Sequence, residues 1–204
     1  MARRPYEQRL RAETSEATRQ RILDALYDRL EESPAKPIAV DEIAARAGVA
    51  RSTVYVVFGS RRGLFDALLD RLLSGAGYDQ LMEAVQQPDP RETLRGGLTG
   101  GVHMYAAHHT VWRVLFAMGK LDPDGVGQTI AVTEGTRARG MAWIAQRLAD
   151  EGELRPGLTA ERAAHVIWVL ASFDAYDLLA TGRGLGADEI AAIVVETAEN
   201  ALLA

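Results

Sequence analysis

The sequence predicts an all-α chain of about nine helices. Three observations carry this prediction. Apolar residues recur at i, i+3, i+4 and i+7 through most of the 204 residues, the period of helices that bury one face. No run alternates apolar and polar residues at the period of two that a half-buried strand requires. Proline pairs and glycine clusters fall between the periodic segments, where they end helices.

The first element is an amphipathic helix from about Ser15 to Glu32, with Ile22, Leu23, Leu26, Tyr27 and Leu30 marking its apolar face. Pro34 and Pro37 end it. Two short helices follow, Val40–Ala47 and Arg51–Phe58, on either side of Gly48. Ile43, Ala44 and Ala47 share one face of the first, and Val54, Val57 and Phe58 repeat the i, i+3, i+4 pattern on the second. Gly48 permits the positive φ of a tight inter-helix turn, and small Ala44 lets the helices approach closely. This is the pattern of a helix-turn-helix, whose second helix enters the DNA major groove. Arg51, Ser52, Thr53 and Tyr55 put hydrogen-bonding groups where such a helix meets bases and phosphates. A fourth helix, from about Arg61 to Gly75, carries Leu64, Leu68 and Leu72 along one side.

Pro88-Asp89-Pro90 is the clearest later break. From Arg91 a helix containing Gly96, Gly97, Gly100 and Gly101 reaches about His108. Each glycine weakens a helix interior by up to ~1 kcal/mol relative to alanine. The cluster is open to three readings: close helix packing, room for a ligand, or an irregular helix. Thr110–Gly119 reads as a short helix and Leu121-Asp122-Pro123-Asp124-Gly125 as a turn. Helices over Val126–Glu151, Thr159–Leu179 and Asp188–Leu203 complete the count, the last two separated by Gly182, Gly184 and Gly186. Within the penultimate helix, 166–173 is apolar nearly all round, so its own subunit covers only part of that surface. The last helix sets Ile190, Ile193, Val194 and Ala201 on one stripe, with Thr197 its only polar member.

Charge is unevenly distributed. The net charge is −5, yet residues 1–62 carry +3 and residues 63–204 carry −8. Local charge, more than the total, attracts phosphate. No cysteine is present, which removes disulfides, thiol nucleophiles and cysteine–zinc sites from consideration. There is no uninterrupted apolar stretch of ~18 residues, and polar residues follow Met1-Ala2-Arg3-Arg4-Pro5 where a signal peptide needs an apolar core. His103, His108, His109 and His165 lack metal-ligand spacing, and the adjacent pair points about 100° apart on a helix. The glycines at 96–101 follow no strand and match no phosphate loop. The expectation is that the chain is not an enzyme. A helical enzyme and a helical protein-binding adaptor are the competing classes.

The motif spacing, with the flanking Phe58-Gly59-Ser60-Arg61 and Leu64-Phe65-Leu68-Leu69, resembles the TetR family of one-component regulators. The resemblance implies a DNA-binding domain over 1–60, with its boundary at 60–75, and a ligand-binding and dimerisation domain over 61–204. It further implies a cytoplasmic homodimer paired through its last two long helices, and a palindromic double-stranded operator. The regulator it implies is a repressor released by a small hydrophobic effector, with no cofactor, metal or membrane. Activation in place of repression stays open. Carried over by position, Arg51 and Ser52 reach base edges, Thr53 and Tyr55 contact phosphates or the adjoining base, and Arg61 holds the backbone. Arg3, Arg4, Arg9 and Arg11 form either a DNA arm or a solvated tail. For the ligand site the resemblance points to His103, Met104, His108, Trp112, Trp143, Trp168, Phe173 and Tyr176, with Phe116 and Met118 nearby. A pocket of aromatic and sulfur groups with a few polar anchors is a usual small-molecule site.

Two departures stand out. Many members of the family begin each motif helix with a hydroxyl residue, where this chain has Ala39 and Ala50; losing such a cap typically costs ~1 kcal/mol. Val56 and Val57 replace polar or aromatic residues, so they supply no hydrogen bonds to DNA.

Overall fold

The computed structural model describes residues 3–34 and 36–204, giving the backbone alone for 3–12, 14, 76 and 77. Eleven helices are present among the described residues: α1 Arg3–Glu32, α2 Val40–Arg46, α3 Arg51–Phe58, α4 Arg61–Leu72, α5 Ala76–Val85, α6 Pro90–Ala107, α7 His109–Leu121, α8 Val126–Asp150, α9 Ala160–Leu170, α10 Phe173–Arg183 and α11 Ala187–Leu202. No strand occurs among them, and one isolated antiparallel bridge, Leu154 to Leu203, ties down the C-terminus. The all-α expectation holds. The two helices beyond nine come from α5, which the sequence reading left as a connection, and from a break at Ala171-Ser172. The Ser172 hydroxyl accepts from the Ala175 N–H at 3.1 Å, starting a new helix inside the apolar run.

α1 begins at Arg3, well before Ser15. The Arg3, Arg4, Arg9 and Arg11 side chains lie outside the described residues. Ile22, Leu23, Leu26 and Leu30 of α1 are buried against Ile43 and Ala44 of α2, Val54 of α3, and Leu64, Phe65, Leu68 and Leu72 of α4. Gly48 adopts φ +65 between α2 and α3, as the tight turn requires. One buried cation braces the entry to α2. Arg29, 2% exposed, donates to Glu42 Oε1 at 2.5 Å and to the carbonyls of Ser33 and Pro37 at 2.7 and 3.0 Å. It thereby satisfies carbonyls that the proline-broken end of α1 leaves without helical partners.

The remaining helices enclose the rest of a continuous core. α6 packs on α5, α8 and α11, while α8 packs on α7 and α9. Among the glycines of α6, Gly96 marks close packing: a Cβ there would lie 2.6 Å from the Ala84 methyl of α5. Gly101 has open space instead. The two halves meet where α4 touches α8 and α1 touches α7.

Candidate functional site

The first candidate surface is the outer side of α3. Val54 faces the core at 1% exposure, while Arg51 and Ser52 are exposed and Thr53 and Tyr55 are half-buried. Helical geometry sets 51, 52 and 55 on one outward stripe. α2 and α3 start at Ala39 and Ala50 without side-chain caps, in line with the sequence. Arg51 is an exposed pair with Asp41 of α2 at 3.1 Å, and its guanidinium lies over the Tyr55 ring at 5.7 Å. Hydrogen bonding to Tyr55 and the charge of Asp41 hold its proton more tightly than usual. It is a permanent cation presented beside a phenol, suited to base edges or phosphate.

Arg61 takes a different position. Its guanidinium pairs with Asp122, in the turn between α7 and α8, at 2.9 Å and stacks over Phe65 at 5.1 Å. Asp66 of α4 also accepts from the buried Thr129 hydroxyl of α8 at 2.6 Å. Two polar contacts therefore staple α4 to the start of α8. Ser60 caps α4 by accepting from the Gly63 N–H at 3.0 Å.

The predicted ligand residues divide into three groups. Trp112, Phe173 and Tyr176 come together in an aromatic cluster at the meeting of α6, α7 and α10. The sequence reading missed Tyr105, which sits 5.5 Å from Trp112 and 5.3 Å from Phe173, both edge-on. Phe116 stacks on Phe173 at 5.0 Å. Met104 joins through its carbonyl, which accepts from the Trp112 indole at 3.3 Å. Burial drives the Tyr105 phenol far above its ordinary pKa, so it stays protonated.

His103 and His108 lie apart from that cluster. His103 bonds Gln80 and Asp188, each at 3.0 Å. His108 stands at the junction of α6 and α7 and bonds the Tyr27 hydroxyl of α1 at 2.9 Å. Trp143 and Trp168 form the third group. Each is 42% exposed, with Arg147 and Arg137 respectively 5.1 Å over its ring. Helical phase explains their position: Met141, Ile144, Ala145 and Leu148 occupy the inward side of α8, and Ile167 that of α9.

The polar rim of the aromatic cluster was also unforeseen. His109 Nε2 is 2.6 Å from Asp177 Oδ1, and Arg113 reaches the same oxygen at 2.5 Å. Thr181 donates to it at 3.0 Å. Burial pushes the Asp177 carboxyl up, but these donors outweigh it and hold it below the ordinary carboxylate value. An open groove of about 400 Å³ lies between α8 and α9, lined by Ala138, Ala142, Gln146, Ala164, His165 and Trp168.

Other apolar side chains are also exposed: Val132 on α8, Val169 on α9, Leu178 on α10 and Ile193 on α11. By length and composition the end-to-end run Ala160–Arg183 is long and apolar enough to cross a bilayer. Ser172 breaks it into two helices, and Asp174 and Asp177 follow. Val194, on the expected stripe of the last helix, is instead buried at 3% exposure. The inward side of α11 runs through Ile190, Ala191, Val194, Ala198 and Leu202.

Comparison with known proteins places these features. Residues 22–68 match the model of the bacterial regulatory proteins of the tetR family. The chain is 31% identical over 94 residues to the HTH-type transcriptional regulator EthR of Mycobacterium tuberculosis, an alignment covering 45% of this chain and 44% of that relative. It thus spans less than half the length of that curated relative. The fold is similar to that of NalD, described as the secondary repressor of the MexAB-OprM multidrug efflux pump in Pseudomonas aeruginosa. That likeness has a TM-score of 0.73 and 23% identity, over 94% of this chain and 98% of NalD. It is also similar to SmeT in complex with triclosan, with a TM-score of 0.70, 17% identity and 92% of both chains covered. The helix-turn-helix segment is thus similar to that of the tetR family of bacterial regulatory proteins, and the helical frame is similar to that of these solved structures.

Proposed function

We propose that this chain is a DNA-binding transcriptional regulator, a repressor that a small hydrophobic effector releases from its operator. The observation that carries the reading is the outward stripe of α3, where Arg51, Ser52 and Tyr55 project from a helix whose Val54 side is buried. A helix held this way on a helix-turn-helix offers base-reading groups to the major groove without disturbing the core. Residues 1–60 serve as the DNA-binding domain and residues 61–204 receive the effector. The description of NalD as a repressor and the complex of SmeT with triclosan support the two halves of this reading.

The protein acts in the cytoplasm as a homodimer on a palindromic duplex, because two equal half-sites call for two equal readers. The exposed apolar residues of α9 and α11, Trp168, Val169 and Ile193, belong to the subunit interface. The effector enters at the aromatic cluster around Trp112, Phe173 and Tyr176, with Met104 beside it. Those rings are packed against one another, so a ligand must part them, and the α4–α8 contacts carry the displacement toward α3. No catalytic role is assigned to any residue.

Selection of bound fragments from the source genome, followed by duplex binding as a function of salt, tests this. Affinity for a palindromic duplex that falls steeply with salt is the expected result. Absence of any such duplex would reject the regulator reading.

A further inference from the structure

Among the described residues, Val56 is the one large apolar side chain of α1–α4 that stands exposed, with 85% of its surface open. Its neighbours differ: Val54 is buried, and Val57 packs partly against the core. Residues 52 and 56 lie one helical turn apart, so Val56 sits in the outward stripe with Arg51, Ser52 and Tyr55. A β-branched residue there gains nothing from packing and loses side-chain freedom that alanine would not. Its isopropyl group stands open to solvent among the described residues.

On the edges that base pairs present to the major groove, the apolar group is the thymine C5-methyl. We propose that Val56 reads a thymine methyl in each half-site, an inference that rests on the DNA-binding reading above. Arg51 and Ser52 make hydrogen bonds with donors and acceptors at neighbouring base edges; Val56 makes none. Its contact favours thymine over cytosine, a pyrimidine whose C5 carries only hydrogen. The remainder of the stripe suits this role, because Arg51 pairs with Asp41 and lies over Tyr55, while Val56 itself stays exposed.

The test uses the full chain and its selected duplex, with each thymine of a half-site replaced in turn by deoxyuridine, which lacks only the methyl. One replacement is expected to weaken binding roughly fourfold per half-site, the worth of one buried methyl-sized group. Val56→Ala should bind the thymine and deoxyuridine duplexes equally, with its fold intact because the site is exposed. If no thymine shows the effect, or if Val56→Ala keeps it, the inference fails while the DNA-binding reading stands. A changed oligomeric state of Val56→Ala with thymine sensitivity retained overturns it in favour of a protein contact. Absence of any salt-dependent duplex binding removes both.

Discussion

Arg61, the first residue of α4, and Asp122, in the turn before α8, are joined by an ion pair of 2.9 Å. Asp122 also accepts from the Gly125 N–H at 3.1 Å, so the same carboxylate shapes the turn and restrains the arginine. The Arg61 hydrogen bond is the main cause holding this carboxyl below its ordinary range, and it persists as an anion at neutral pH. On the proposed DNA-binding reading, a phosphate would compete with Asp122 for this one guanidinium.

That competition yields the first prediction. Asp122→Asn should free Arg61 and raise duplex affinity by up to about fivefold at low salt, the scale of an exposed pair. It should also steepen the log–log salt dependence by about one for each subunit bound. Arg61→Ala should lower the slope and abolish the effect of Asp122→Asn. Fluorescence anisotropy of a labelled duplex across a salt series provides the measurement, and equal affinities for wild type and Asp122→Asn would refute the competition.

Subunit association gives the second. Val169→Glu and Trp168→Glu place a charge on exposed positions and should yield a folded monomer by sedimentation, with unchanged helical circular dichroism. Val194→Glu places the charge at a 3% exposed site and should impair folding itself. A wild-type chain that sediments as a monomer at micromolar concentration would dismiss the dimer.

The glycines of α6 supply a matched pair. Gly96→Ala forces its methyl to within 2.6 Å of Ala84, and overpacking of this kind costs ~1–3 kcal/mol. Gly101→Ala meets open space within a helix and should stabilise by ~0.4–1 kcal/mol. Denaturant midpoints of the two variants should move in opposite directions.

The part-buried position of His108, beside Tyr27, sets a pH dependence. Burial is the main cause that lowers the pKa of His108 below 6.5; Arg71 adds to the lowering and Glu31 opposes it. The unfolded chain therefore takes up this proton at a higher pH than the folded one does. The His108 contribution is complete above pH 6.5 and is lost as pH falls below it, until the folded group also protonates. Thermal melts between pH 7.5 and 5 should show a smaller decline for His108→Gln than for the wild type. Parallel curves would mean that His108 is not the group responsible.

How much of this was legible follows from helical phase. The helix-turn-helix, its Gly48 turn and the missing caps at Ala39 and Ala50 were readable, because short-range spacing and backbone conformation determine them. α5 was not: it opens in Gly75-Ala76-Gly77, whose glycines disfavour a helix, and it is only 10 residues long. The aromatic cluster was half legible. Positions 105, 109, 112 and 116 follow a helical period that points to it, although the break at His108 obscures that period. Trp143 and Trp168 look like pocket residues by type; the phase of α8 and α9 sets them away from the aromatic cluster, with Trp168 on the α8–α9 groove instead. The Arg61–Asp122 pair joins residues 61 positions apart and leaves no local signal at all.

The three tryptophans, one enclosed and two on the surface, divide the chain's light emission between two environments. Trp112, at 1% exposure, should emit at short wavelength and resist iodide. Trp143 and Trp168 should emit further to the red and be quenched in free subunits. A single optical titration can therefore separate events at the centre of the molecule from those on its outer face. With Trp143 and Trp168 both replaced by phenylalanine, the remaining signal reports the aromatic cluster alone, and a molecule that parts those rings becomes visible before any DNA is added.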